Sequence, residues 1–193
     1  INYVKTIRNH AITLCAGPAG TGKTFVAVAC ALEQLHSGKV SKIVLSRPVV
    51  EAGEKLGYLK GDLSEKIAPY MVPIFDSLNA ILEPKIVKEM IEHNILEVAP
   101  LAYIRGRTFN NCFMVLDEAQ NTSIESMKMY LTRLGRDSRS VVIGDVMQID
   151  IPKTVPNGFT DAFIRFQHIV GIGKTAMTKD DIQRHSLVQE IVD

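Results

Sequence analysis

With 193 residues, 46% hydrophobic and 22% charged, the chain has the size and composition of one globular domain that buries a real core. Lys and Arg number 22 against 21 acidic residues, a formal net charge of +1, so any basic surface must be local rather than a property of the whole chain. No apolar run nears the ~20 residues that span a bilayer and no secretory signal opens the chain, so no membrane is expected and the cytoplasm is the natural compartment.

The apolar run Ile12–Ala16 reads as a first strand and Lys23–Leu35 as the helix after it. Lys42–Ser46 is a second strand, stopped by Pro48. A helical pattern covers Asp62–Leu82 and is expected to break around Pro69 and Pro73. Pro84–His93 reads as a further helix, with Ile86, Met90 and Ile91 on one face. Ile95–Ile104 holds a strand broken by Pro100, and Phe113–Leu116 a buried one. Ser123 is placed to cap a helix in which Ile124, Met127, Leu131 and Leu134 form one stripe. Ser140–Gly144 is another buried strand, followed by a helix over Phe159–Phe166 and a strand near Ile169–Ile172. Cys15, Cys30 and Cys112 lie far apart, two of them in strand-like runs, which points to buried free thiols rather than a disulfide or metal site. The chain opens on Ile1 rather than Met, which points to residues upstream of it.

Continuous apolar strands alternating with helices imply the α/β class: one domain over 1–193, with a mostly parallel sheet flanked by helices on both faces. Such sheets bind ligands at the carboxyl ends of their strands, so the residues after Ala16, Ser46, Leu116 and Ile143 should share one edge.

Directly after the first strand stands Gly17-Pro18-Ala19-Gly20-Thr21-Gly22-Lys23-Thr24, which fits G-x-x-x-x-G-K-[ST] in the strand–loop–helix setting that a phosphate-binding loop requires. Its glycines let backbone N–H groups curl around phosphate oxygens, Lys23 reaches the outer phosphates, and the Thr24 hydroxyl is suited to Mg²⁺. The helix beginning there adds the positive end of its dipole. Asp117 and Glu118 end another strand: Asp117 is the candidate to help hold Mg²⁺, and Glu118 to orient or deprotonate an attacking water. After the next strand, Gly144-Asp145-Val146-Met147-Gln148 offers Gln148, whose amide donates and accepts at once, as a sensor of the terminal phosphate and the water. Asp145 reads as a cap on that turn. Arg47, Arg105, Arg107 and Arg184 are candidates to stabilise transition-state charge, whereas His185 reads as structural.

Together these segments resemble the PhoH-like family, the phosphate-starvation-inducible ATPases, and more distantly the motor core of superfamily-one helicases. The resemblance rests on Arg47 to Gly57, Ala99 to Thr108, Leu116-Asp117-Glu118-Ala119-Gln120-Asn121-Thr122, Leu131 to Gly135, and Gly144 to Asp150, in order over nearly the whole chain. It implies a single RecA-like P-loop domain, Mg²⁺-dependent ATP hydrolysis, and assembly into a homo-oligomeric ring, with a hexamer favoured. It also implies action on RNA. By the same resemblance Gly17 to Thr24 bind nucleotide, Thr24 and Asp117 serve the metal, and Lys23, Glu118, Gln148 and Arg184 act in catalysis. Two positions depart from the pattern: Lys60 and Ser186 stand where the family usually has proline. No guanine-reading N-K-x-D is present, which favours ATP.

Three functions compete on this reading: an ATPase motor working on RNA, an ATP-bound regulatory RNA-binding module with slow turnover, and small-molecule phosphotransfer. A lone motor domain needs a neighbour to complete its cleft, so Arg105, Arg107, Arg133 or Arg184 is expected to act in trans. Lys128, Arg133, Arg136 and Arg139 form a basic group suited either to nucleic acid or to helix-end carbonyls.

Overall fold

A computed structural model describes residues 2–49 and 63–182, with the backbone alone for 63–66. Its elements in chain order are α1 (Asn2–Asn9), β1 (Ile12–Ala16), α2 (Lys23–His36), β2 (Lys42–Arg47), α3 (Leu63–Asn79), α4 (Pro84–Glu92), β3 (Leu96–Pro100), β4 (Cys112–Leu116), α5 (Ile124–Leu131), β5 (Arg139–Gly144), α6 (Gly158–Arg165) and β6 (Ile172–Ala176). β4 is buried at every position and β5 at all but its first, a pattern that only an interior strand covered on both faces can satisfy. The sheet has six strands, all parallel, in the order β3-β2-β4-β5-β1-β6.

Side chains alternate across this sheet into two apolar layers. Ile43, Leu45, Phe113 and Val115 pack beneath α1 to α4, while Val44, Met114, Leu116 and Val142 pack against α5 and α6. The result is the three-layer, RecA-like α/β architecture. Pairing places Ala16 beside Gly144 and Ser46 beside Leu116, so the loops after β1, β2, β4 and β5 leave the same edge.

Four local features differ from the expectation. α3 runs unbroken through Pro69 and Pro73. The two prolines are four residues apart and both exposed, so neither ring presses on the core, while Met71, Ile74 and Leu78 bury the opposite face. The last strand is Ile172–Ala176 rather than Ile169–Ile172: Val170 is fully exposed and Gly171 turns with φ 95°. As an edge strand, β6 buries only Gly173 and Thr175, which carry little hydropathic signal. α5 ends at Leu131, so its buried face is Met127 and Tyr130, and Leu134 lies beyond it. Finally, the opening residues form α1, which buries Tyr3, Thr6 and Ile7. Ser123 does cap α5, its hydroxyl accepting from Ser126 N at 3.1 Å. The three cysteines are buried free thiols, and burial pushes Cys15 and Cys112 up to about 12, which makes them inert.

Arg139 explains how α1 is held. From the start of β5 its Nη1 donates to the carbonyls of Ile7, Arg8 and His10 at 3.1, 2.9 and 3.0 Å, neutralising the helix C-terminus. Arg139→Met is expected to lower unfolding free energy by about 1–2 kcal/mol in urea denaturation. Weakened RNA binding with unchanged stability would instead give Arg139 to nucleic acid.

Candidate active site

The phosphate-loop segment leaves β1 and turns directly into α2. Gly22 caps α2 from the left-handed region, with φ 75°, a conformation that a side chain at this position would strain. Tyr3 Oη donates to Lys23 O at 3.3 Å and seats the first turn of α2 against α1. Lys23 is buried, and its Nζ donates to Gly17 O at 2.8 Å and Pro18 O at 2.6 Å, so the ammonium lies across the loop. Burial lowers its pKa, partly offset by Cys15 and by the carboxylates of Asp145, Asp117 and Glu118.

Asp117 extends from the end of β4 to this loop. Its Oδ1 accepts a hydrogen bond from Thr24 Oγ1 at 2.9 Å, joining positions 93 residues apart in sequence. Burial raises the Asp117 carboxyl and the Glu118 charge raises it further, against the lowering effect of the Thr24 bond. A hydroxyl and a carboxylate in contact are the hard oxygen donors that Mg²⁺ takes when phosphates and waters supply the rest of its shell. Among the described residues no group of three His, Cys, Asp or Glu converges as an all-protein cage. The Thr24–Asp117 pair is the candidate to hold Mg²⁺ together with the phosphates of a nucleotide.

Glu118 follows with φ 52° and ψ 36°, left-handed backbone in a residue with a side chain. Such a conformation carries strain and re-aims the side chain where the strand ends. Its Oε1 lies 3.3 Å from Arg47 Nη2, and its Oε2 accepts from Gln120 Nε2. Gln120 is fully buried and ties three segments: Nε2 also donates to Gln148 O at 3.0 Å, Oε1 accepts from Asp145 N at 3.0 Å, and its backbone carbonyl accepts from Asn157 Nδ2. Asp145 caps its own turn, with Oδ1 accepting from Met147 N, and its Oδ2 accepts from Ala19 N at 2.9 Å. The loops after β1, β4 and β5 are thus bonded into one frame.

That frame encloses a cleft of about 270 Å³ whose wall includes Gly22, Lys23, Thr24, Asp117, Glu118 and Gln148. Ala19 and Gly20 also line it, whereas Gly17 and Pro18 form the base of the loop on which Lys23 rests. Arg184, His185, Lys60 and Ser186 lie outside the described residues. The other arginines separate. Arg107 makes a bidentate pair with Glu97 near the amino end of β3, stacks over Phe109, and together with Lys42 holds the Glu97 carboxyl down to about 2. Arg133 donates from Nε to Met129 O at the end of α5. Both are thus engaged away from the carboxyl edge, and Arg105 alone of the described trans candidates stays exposed without an ion pair. In the sequence Gln120 stands only within a motif and Asp145 only as a turn cap; what distinguishes Gln120 is a buried amide between two acidic loops, which spacing does not reveal.

A family model described as PhoH-like protein matches residues 1–193. The chain belongs to the PhoH-like family. It is 50% identical over 191 residues to a PhoH-like protein of Mycobacterium tuberculosis, covering 99% of this chain and 54% of that protein. A PhoH-like protein of Bacillus subtilis is 46% identical, with coverage of 99% and 60%, and Protein PhoH of Escherichia coli is 41% identical, with 98% and 54%. The chain therefore spans little more than half the length of these curated relatives. In fold it is similar to the crystal structure of the Pyrococcus furiosus Hef helicase domain, with a TM-score of 0.52, 16% identity, and coverage of 94% of this chain and 38% of that one. For this member of the PhoH-like family, that likeness extends to the fold alone. No helix among the described residues is long and apolar enough to cross a membrane.

Proposed function

We propose that this domain binds ATP with Mg²⁺ and hydrolyses it, and that hydrolysis drives conformational work on RNA within a homo-oligomeric ring, a hexamer by family resemblance. The observation that carries the catalytic part is the Thr24–Asp117 hydrogen bond, which joins two residues of the same cleft that Lys23, Glu118 and Gln148 line. Gly17 to Thr24 hold the phosphates through backbone N–H groups and Lys23. Thr24 and Asp117 hold Mg²⁺, which when bound neutralises charge on the outer phosphate oxygens. Glu118 takes a proton from the water whose oxygen bonds to the γ-phosphorus. The bond from that phosphorus to the bridging oxygen breaks, and its electron pair leaves with ADP. Gln148 lines the same cleft and orients the water, and Arg184 is assigned to the terminal phosphate. The whole domain 1–193 acts as one unit in this reading, in the cytoplasm.

A regulatory module with slow turnover is the second reading, and one observation favours it: both oxygens of the Glu118 carboxylate are already engaged. Phosphate release from ATP separates the two. The motor reading expects Mg²⁺-dependent release that ceases with excess EDTA, rises with single-stranded RNA, and comes from a species larger than a monomer by gel filtration. Tight ATP binding with negligible release would give the domain to the switch. Release that persists in EDTA would remove the metal role of Thr24 and Asp117.

A further inference from the structure

Glu118 is restrained from two sides. Arg47, the last residue of β2, places Nη2 3.3 Å from Glu118 Oε1, and Gln120 Nε2 donates to Oε2. Arg47 is fixed at its other end as well, with Nη1 donating to Tyr70 O of α3 at 3.2 Å. The two side chains are 20% and 30% exposed, so the pair is sheltered from water without being sealed off. Glu118 and Gln120 line the phosphate cleft, and Arg47 does not. Its guanidinium contacts the glutamate and α3 instead of forming part of the cleft wall.

We propose that Arg47 is a positioning residue that holds Glu118 back, and that ATP turnover requires the Arg47–Glu118 pair to open. The proposal rests on the reading of Glu118 as the group that takes the water's proton. A general base needs an oxygen free within about 2.6–3.2 Å of that water. With Oε1 facing a guanidinium tethered to α3 and Oε2 receiving an amide, a water competes with a cation for Oε1 and meets a carboxylate whose orientation is already held. Opening the pair frees Oε1 while Gln120 keeps Oε2, so the carboxylate turns toward the cleft and stays linked to the β5 loop. The proton then moves from water to Oε1 as the water oxygen bonds to the γ-phosphorus and the bridging bond breaks, its electron pair leaving with ADP. The left-handed backbone at Glu118 belongs to the same arrangement, since it aims the side chain at Arg47 from a strand end. Arg47 thus brakes hydrolysis, the opposite of the charge-stabilising role that its place after a strand suggests.

Steady-state ATP turnover of the full chain tests this with Arg47→Gln, Arg47→Lys, Glu118→Gln and the Arg47→Gln/Glu118→Gln double variant. Arg47→Gln is expected to raise kcat by about 3- to 10-fold with KM for ATP unchanged, the rate equivalent of one partly exposed ion pair. Arg47→Lys keeps the charge and stays near wild type, and the double variant turns over no faster than Glu118→Gln alone. A lower kcat in Arg47→Gln, or an unchanged one while Glu118→Gln is crippled, overturns the restraint and leaves the base assignment standing. Full turnover by Glu118→Gln overturns the base assignment, and the restraint falls with it. Thermal unfolding of the same proteins reads the pair without any turnover: the two substitutions are expected to be coupled, and strictly additive effects would remove the pair. Arg47→Met, which keeps an apolar stem of similar length, is measured beside Arg47→Gln and must show the same gain.

Discussion

Glu118→Gln is expected to bind ATP and Mg²⁺ as the wild-type chain does and to release phosphate about 10²–10⁴-fold more slowly, the span of a missing general base. The substitution is nearly isosteric, so the cleft keeps its shape and Gln120 Nε2 can still donate to the remaining side-chain oxygen. Asp117, Thr24 and Lys23 are untouched, which is why affinity should hold. What disappears is a cleft carboxylate that Thr24 does not bind, and an amide cannot accept a proton from water at neutral pH. Single-turnover phosphate release, with nucleotide binding titrated separately, makes the measurement. Release at the wild-type rate would move the water-activating role to another group. Loss of both binding and release would mean that the frame around Gln120 had collapsed, a structural effect that thermal unfolding would reveal.

The same residues show how far a sequence can be read. The phosphate loop was legible because its spacing and its setting between a strand and a helix are both local. Asp117 and Glu118 were legible because they end an uninterrupted apolar strand, and the parallel sheet followed from several such strands. Register then did what spacing could not, bringing Thr24 and Asp117 to 2.9 Å across 93 residues. Gln120 was harder: its four bonds reach Glu118, Asp145, Gln148 and Asn157, and a buried glutamine looks the same in sequence as a surface one. Arginines were hardest. Arg47, Arg107, Arg133 and Arg139 read alike as cations at element ends, yet they serve a cleft carboxylate, a structural carboxylate, and the carbonyls of two helices. Which of these a guanidinium meets depends on tertiary packing. Pro69 and Pro73 misled for the same reason, because the cost of a proline depends on which face of the helix carries it, and α3 turns both prolines to solvent.

Lys23→Ala should weaken ATP binding by about 10- to 150-fold, the effect of deleting one charge-assisted hydrogen bond at a sheltered site. Lys23 Nζ donates to the carbonyls of Gly17 and Pro18, so nucleotide binding exchanges two neutral acceptors for anionic phosphate oxygens. The gain is the difference between those partners, which is why the expected weakening is bounded. Removing a buried ammonium also relieves the desolvation that lowers its pKa, so Lys23→Ala should stay folded, with Tm within about 4 °C of wild type. The same shift sets a pH signature with a definite sign. Phosphate prefers the protonated lysine; affinity is therefore full below the lowered Lys23 pKa and is lost as pH rises through it, sooner than for an ordinary lysine near about 10.4. Lys23→Ala should abolish that alkaline limb as well as the affinity. A variant that binds ATP as tightly as wild type, with the limb intact, would place the phosphates away from the loop and the acidic pair together, because Lys23 and Thr24 are consecutive residues and Thr24 is bonded to Asp117.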